Sequence, residues 1–385
     1  MRFLFIDGFE RPQLNLSKKL LLLNWPFLLL IAAITGTGVA ALYSVAGGAL
    51  EPWASRHVVR FCLGLAILYA VVLVDLRWWM RVAYPAYFAV LLMLVAVPLI
   101  GVESGGAQRW LGFEDYSFQP SELMKIALVL AIARYYQWLP PDKVWRPEAV
   151  VAPLLMVGAP TALALAQPDL GTAALFGIVG CGLLFLAGVS WLYFIAAGAG
   201  VIAALPHIWE NLHDYQKERV LTFIDPERDP LGSGYHILQS KIAIGSGGVA
   251  GKGFMQGTQA QLNFLPEKHT DFIFTMFSEE MGFVGAIALL ALYLLALLSI
   301  TYMALRCRST FARLVAAGIG LCLFTYVFIN VAMVTGLVPV VGLPLPLVSY
   351  GGTSMLTMMV GLGLVLNVYV NRGVFIRREE MGPLW

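Results

Sequence analysis

Glu267-Lys268-His269-Thr270-Asp271 puts four ionisable side chains directly before an apolar run that continues, past Ser278-Glu279-Glu280, to about Leu305. A run of that length is membrane-spanning in character, so Asp271 falls where a water-exposed loop enters lipid. A carboxylate costs about 2.5 to 3.5 kcal/mol at the centre of a spanning helix and less near its ends. Two accounts would justify that cost. Thr270 or Asp271 could cap the following helix, accepting hydrogen bonds from its orphan N–H groups. Alternatively, partial burial could raise the carboxylate's pKa until it serves as a general base near neutral pH.

The remaining candidates are Arg109, Glu122, Lys125, Asp169, Lys252, Glu267, Lys268 and His269, all expected at or near one end of the spanning segments. Glu122 and Lys125 stand at i, i+3 and can pair across one helical turn, as a structural ion pair or as substrate contacts. Asp169 follows Pro168, an order that suits a helix cap as well as a ligand contact. Glu279 and Glu280 lie about 12–13 Å beyond Asp271 along a helix. Two adjacent glutamates at that depth cannot both face lipid, so at least one should line a cavity or meet Arg109 or Lys125.

Gly245-Ser246-Gly247-Gly248-Val249-Ala250-Gly251-Lys252-Gly253 is not a P-loop. That motif needs glycine five residues before the Gly-Lys pair and Ser or Thr after the lysine, where this chain has Ser246 and Gly253. It reads instead as a flexible cationic loop whose N–H groups and Lys252 could reach a phosphate. Gly342-Leu343-Pro344-Leu345-Pro346-Leu347-Val348-Ser349-Tyr350-Gly351-Gly352 mixes apolar residues with helix breakers. Non-helical backbone at membrane depth is tolerated only when buried in protein or lining a cavity, so this stretch is expected to form a re-entrant wall.

The elements that must position these groups are apolar helices. The 385 residues are 59% hydrophobic and 12% charged, with a mean hydropathy of +0.78. Soluble domains carry roughly 25% charged residues. No pair among Cys62, Cys181, Cys307 and Cys322 has CxxC spacing, and the five histidines lack metal-ligand spacing. Residues 1–19 are mixed and charged, so the first apolar run is expected to be an uncleaved anchor. Spans are expected near 25–46, 58–74, 82–100, 120–134, 149–166, 170–188, 190–205, 272–305, 313–335 and 349–370. The fold class is thus an all-α polytopic membrane protein of about ten transmembrane helices. A cytoplasmic segment (1–20), a large extracytoplasmic loop (207–270, between helices 7 and 8) and a cytoplasmic tail (371–385) complete it. With the N-terminus inside, the cytoplasmic segments hold 15 of the 25 lysines and arginines, and the short outer loops keep Arg56, Arg60, Arg109 and Lys125. That asymmetry puts both termini in the cytoplasm and the Asp271 end outside.

Five stretches then carry a resemblance. They are Gly106-Ala107-Gln108-Arg109-Trp110, Phe118-Gln119-Pro120-Ser121-Glu122-Leu123-Met124-Lys125, Gln167-Pro168-Asp169-Leu170-Gly171-Thr172, Phe264-Leu265-Pro266-Glu267 with Thr270-Asp271-Phe272, and the block from Asn330 to Gly352. In this order they resemble the SEDS family (shape, elongation, division and sporulation), polytopic peptidoglycan glycosyltransferases of the bacterial cytoplasmic membrane. Gly251-Lys252-Gly253 with Gly257-Thr258-Gln259 and Gln261-Leu262 is similar to the family's elongation branch. The resemblance implies polymerisation of lipid II, an undecaprenyl-pyrophosphate-linked disaccharide pentapeptide, beside a class B penicillin-binding protein that cross-links the strands.

On that footing Asp271 is the expected general base in an inverting transfer, activating an acceptor hydroxyl against a pyrophosphate-linked donor. Arg109, Lys125 and Lys252 are expected to offset the leaving group's charge. A divalent cation could share that task, though no acidic cluster is diagnostic of one and no cofactor is expected. The competing expectations are a lipid II flippase, which would need working polar groups at mid-membrane such as Glu279 or Glu280, and a non-catalytic scaffold.

Overall fold

The apolar runs become helices, in a computed structural model that describes residues 19, 21–104, 107–113, 116–211, 214–225, 228, 232–262, 265, 267–374 and 376. Most of the expected N-terminal segment and tail lie outside these residues, as do Gly105, Gly106, Glu114, Asp115, Asn263, Phe264 and Pro266. In chain order the apolar helices are α1 (Trp25–Val45), α2 (Ala54–Leu73), α3 (Leu76–Ile100), α4 (Pro120–Trp138), α5 (Glu148–Ala166), α6 (Leu170–Leu186) and α7 (Trp191–Asn211). After α8 (Asp214–Ile224), α9 (Ser233–Ser246) and the single turn α10 (Thr258–Gln261) come α11 (Ile273–Arg306), α12 (Thr310–Val334) and α13 (Gly352–Val370). Seven of the described helices are long and apolar enough to cross a membrane, and two shorter apolar ones are α6 and the first part of α7. Their placement follows the apolar runs to within a few residues.

Start and stop signals are local. Pro26 and Pro120 occupy first-turn positions of α1 and α4, where a missing N–H costs nothing. Asn24, Asp75, Asp169 and Ser309 cap α1, α3, α6 and α12 through side-chain oxygens. The cap at Asp169 meets one of the two expectations for that residue.

Helices α12 and α13 run through the middle, with most of their apolar windows buried, while α11 leaves most of its window on the outside. Helix α4 is buried on nearly all sides, Glu122 and Lys125 included. It is packed between α3 and α12. The all-α expectation needs one local addition. A three-stranded antiparallel sheet, β1 (Val102–Ser104), β2 (Ala107–Phe113) and β3 (Tyr116–Phe118), fills the α3–α4 connection and carries Arg109.

Two details of the sequence reading change. Arg56 and Arg60 lie in α2, which begins at Ala54, and Lys125 lies in α4, so these cations are helical rather than in outer loops. The run Tyr135-Tyr136-Gln137-Trp138 reads in the sequence as an aromatic interface belt, yet it is half inward: Tyr136 and Gln137 are buried, and Gln137 accepts from the Phe311 N–H while donating to the Ile376 carbonyl.

Candidate active site

Helix α11 has Phe272 at its N-cap and no side-chain cap, so neither Thr270 nor Asp271 performs the capping that would explain it. Thr270 instead donates to Glu267 Oε2 at 2.8 Å. The carboxylate of Asp271 forms no hydrogen bond or ion pair among the described residues. Burial first, and then the negative charge of Glu267, push its pKa up to about 7. Asp271 is half-buried rather than sealed off.

The turn is held by the expected re-entrant stretch, which is non-helical between α12 and α13. Tyr350 N–H donates to the His269 carbonyl (2.9 Å), and Ser349 Oγ donates to the Thr270 carbonyl (2.6 Å). Asn330 Nδ2 on α12 donates to the carbonyls of Asp271 (2.9 Å) and Leu343 (2.7 Å). Three consecutive carbonyls before α11 are thereby fixed, while the Asp271 carboxylate takes no part in these bonds. Leu347 has φ of 66°, and its carbonyl meets His57 Nε2 at 3.1 Å. Tyr293 donates its hydroxyl to the Pro346 carbonyl. His269 stacks on Trp53, with ring centroids 4.7 Å apart. Burial lowers the His269 pKa, as it does that of Lys268.

Arg109 reaches from β2 to the α5–α6 turn, donating to the carbonyls of Gln167 (3.2 Å) and Pro168. Asp169, two residues before Gly171, accepts from Thr172 Oγ1 (2.8 Å), Thr172 N–H (3.1 Å) and Gln119 Nε2 (3.3 Å). A Cβ on Gly171 would stand 2.7 Å from the Val341 carbonyl, and one on Gly342 would stand 3.3 Å from Asp271 Oδ2. The Arg109–Asp169 cluster and Asp271 therefore face the same short stretch, Val341–Leu343.

The other expected cations are engaged elsewhere. Lys125 Nζ is 2.6 Å from Glu122 Oε1 and 4.3 Å above the Tyr326 ring, while the Tyr326 hydroxyl donates to both Glu122 oxygens (2.9 and 3.0 Å). They line a small cavity with Cys322, Thr357 and Met358. This is the structural ion pair that the i, i+3 spacing allows. Lys252 Nζ is 2.6 Å from Glu279 Oε1, which also takes bonds from Thr258 and Gln259 N–H groups and from Thr258 Oγ1. Glu280 accepts from Ser44 of α1. So Glu279 and Glu280 meet Lys252 and Ser44, not Arg109 or Lys125.

The glycine-rich loop is also not loose. Gly282 breaks α11 with φ of 65°, and residues 248–253 close the gap. Lys252 and Gly253 N–H groups donate to the Glu279 and Glu280 carbonyls (3.1 and 3.0 Å), and Phe283 and Val284 donate to Gly248 and Val249 (2.9 and 3.1 Å). Gly251, with φ of 83°, must be glycine there, because a Cβ would sit 2.1 Å from the Glu280 carbonyl oxygen. These N–H groups serve the broken helix, so the loop's phosphate-cradling expectation gives way to a structural one.

The profile of the FtsW/RodA/SpoVE family, described as cell cycle protein, matches residues 19–373. The chain belongs to that family. It is 44% identical to the peptidoglycan glycosyltransferase MrdB of Escherichia coli K12, over 90% of this chain and 93% of that protein. It is 36% identical to a probable peptidoglycan glycosyltransferase FtsW of Geobacter sulfurreducens, over 89% and 93% of the two chains. Among solved structures, a chain of a peptidoglycan synthase complex in which polymerization and crosslinking are coordinated aligns with a TM-score of 0.80 and 35% identity, covering 91% of this chain and 98% of that one. The rod shape-determining protein RodA of Thermus thermophilus aligns with a TM-score of 0.69 and 30% identity, covering 92% and 98%. The all-α membrane architecture is that of the FtsW/RodA/SpoVE family.

Sequence reading missed the family member's supporting residues. Asn330, Ser349 and Tyr350 were visible only inside a motif, and Tyr326, Ser44 and Arg60 carried no local signal because their partners are distant in the chain.

Proposed function

We propose that Asp271 is the general base of a glycosyl transfer that polymerises lipid II into glycan strands. The chain is a peptidoglycan glycosyltransferase, by family and by its identity to MrdB over nearly its whole length. The observation that carries the assignment of Asp271 is its isolation. The backbone around it is tied down at three successive carbonyls, and the carboxylate itself is left without a partner and held near neutral pKa.

In this reading Asp271 takes the proton from the acceptor's 4-hydroxyl as the oxygen attacks the anomeric carbon of the donor. The donor's pyrophosphate leaves with the bonding pair and inverts the centre. Arg109 offsets that charge in this reading, and Glu267, Lys268 and His269 line the turn before Asp271. Lys252, Glu122, Lys125 and Asp169 support the walls. A divalent cation sharing the charge would be held mainly by the pyrophosphate itself, since among the described residues no three His, Cys, Asp or Glu side chains converge.

The chain is proposed to cross the cytoplasmic membrane about ten times, with both termini inside and the 207–270 loop and Asp271 outside, on the distribution of its lysines and arginines. A class B penicillin-binding protein is the proposed partner, suggested by the aligned synthase complex. The deciding experiment is lipid II polymerisation by purified protein with that partner. Asp271→Asn should lower the rate by roughly 10²–10⁴-fold while the protein remains folded and inserted. A near wild-type rate would remove the assignment, and leaflet exchange of lipid II without polymer would favour a transporter.

A further inference from the structure

Arg60 sits in α2 one turn beyond His57, on the same face of the helix. Its guanidinium lies over the Tyr350 ring, 4.4 Å from the centroid, and a Cβ on Gly352 would stand 3.4 Å from its Cζ. Its Nη1 is buried without a hydrogen bond, and no carboxylate pairs with it among the described residues. Comparable cations have acceptors: Lys125 has Glu122, Lys252 has Glu279, and Arg109 has the Gln167 and Pro168 carbonyls. A buried guanidinium N–H without an acceptor is costly, and the planar fork is matched to phosphate oxygens.

The position of Arg60 bears on what that N–H could serve. Tyr350 beneath it donates its N–H to the His269 carbonyl, two residues from Asp271. Arg109 reaches the turn that packs on Val341, whereas Arg60 lies at Tyr350 and Gly352. The two guanidiniums thus mark opposite ends of the stretch that Asp271 faces through Gly342. A polymerase joining lipid-linked sugars holds two of them at once, donor and acceptor, and each carries a pyrophosphate.

We propose that Arg60, stacked on Tyr350, is a second anion-binding residue that holds the pyrophosphate of one lipid-linked sugar while Arg109 serves the other. This rests on the glycosyl-transfer reading above. The test uses purified full-length protein with its partner, titrating lipid II in the presence and absence of inorganic pyrophosphate. Arg60→Gln should raise the lipid II KM about tenfold, as for loss of one charge-assisted contact, and weaken inhibition by pyrophosphate, with kcat little changed. Arg60→Lys keeps the charge but not the fork and should recover part of both. It also carries the test if Arg60→Gln does not fold, since a wild-type KM in Arg60→Lys would then overturn the proposal. Unchanged KM and unchanged pyrophosphate inhibition in Arg60→Gln would overturn it, and so would a fall in kcat alone, the mark of a packing role. Asp271→Asn in the same assay reports separately on the base, so the two ideas can fail independently.

Discussion

Gly342 presents its bare Cα to Asp271: a methyl group there would stand 3.3 Å from Oδ2. The residue also has φ of 68°, a conformation that side chains resist. Gly342→Ala should therefore reduce polymerisation and move the acidic limb of the pH–rate profile upward, because the added methyl excludes more water from the carboxylate. A wild-type profile would show that the space before Asp271 is not used.

The raised pKa of Asp271 fixes the sign of two pH effects. A base must be ionised, so turnover should climb as pH rises through about 7 and level off above it. For stability the effect is opposite. The folded state prefers the protonated acid, so the fold loses stability as pH rises from the ordinary carboxylate range through about 7. Asp271→Asn should accordingly raise Tm more at pH 8.5 than at pH 5, as thermal unfolding in detergent would measure.

Glu122 and Lys125 should behave as a unit with Tyr326. Lys125→Met alone leaves a buried carboxylate and should cost about 3–5 kcal/mol. Tyr326→Phe, which removes the one O–H shared between the two Glu122 oxygens, should cost about 1–3 kcal/mol. The double variant Glu122→Leu with Lys125→Met should be less damaging than Lys125→Met alone. Melting temperatures of the wild type and these three variants test the pattern, and a double variant less stable than Lys125→Met would contradict it.

Glu279 anchors the 251–259 loop through Lys252, Thr258 and Gln259. Glu279→Ala should free that loop and expose it to limited proteolysis, where the wild type resists. Lys252→Met should give a milder version, because the backbone bonds to Glu279 and Glu280 remain.

The helices were legible because lipid imposes one rule on every span: a run of apolar residues about 20 long. The Glu122–Lys125 pair and the Asp169 cap were legible because both depend on residues within one turn. What escaped was nonlocal. Nothing near Glu279 announces Lys252, 27 residues earlier, and nothing near Glu280 announces Ser44. The outer strands β1 and β3 have three residues each, too few for alternation to show. Arg56 reads as a loop cation because α2 starts four residues earlier than its apolar run suggests.

The gap in α11 at Gly282 has a consequence for biosynthesis. The segment that fills it, residues 248–253, precedes the helix in the chain and is translated first. The plug is thus already made when the discontinuity emerges, and the exposed carbonyls need not wait in lipid for a distant partner. A permuted gene that moved this loop behind α11 would encode the same contacts yet reverse that timing, and its product should insert poorly.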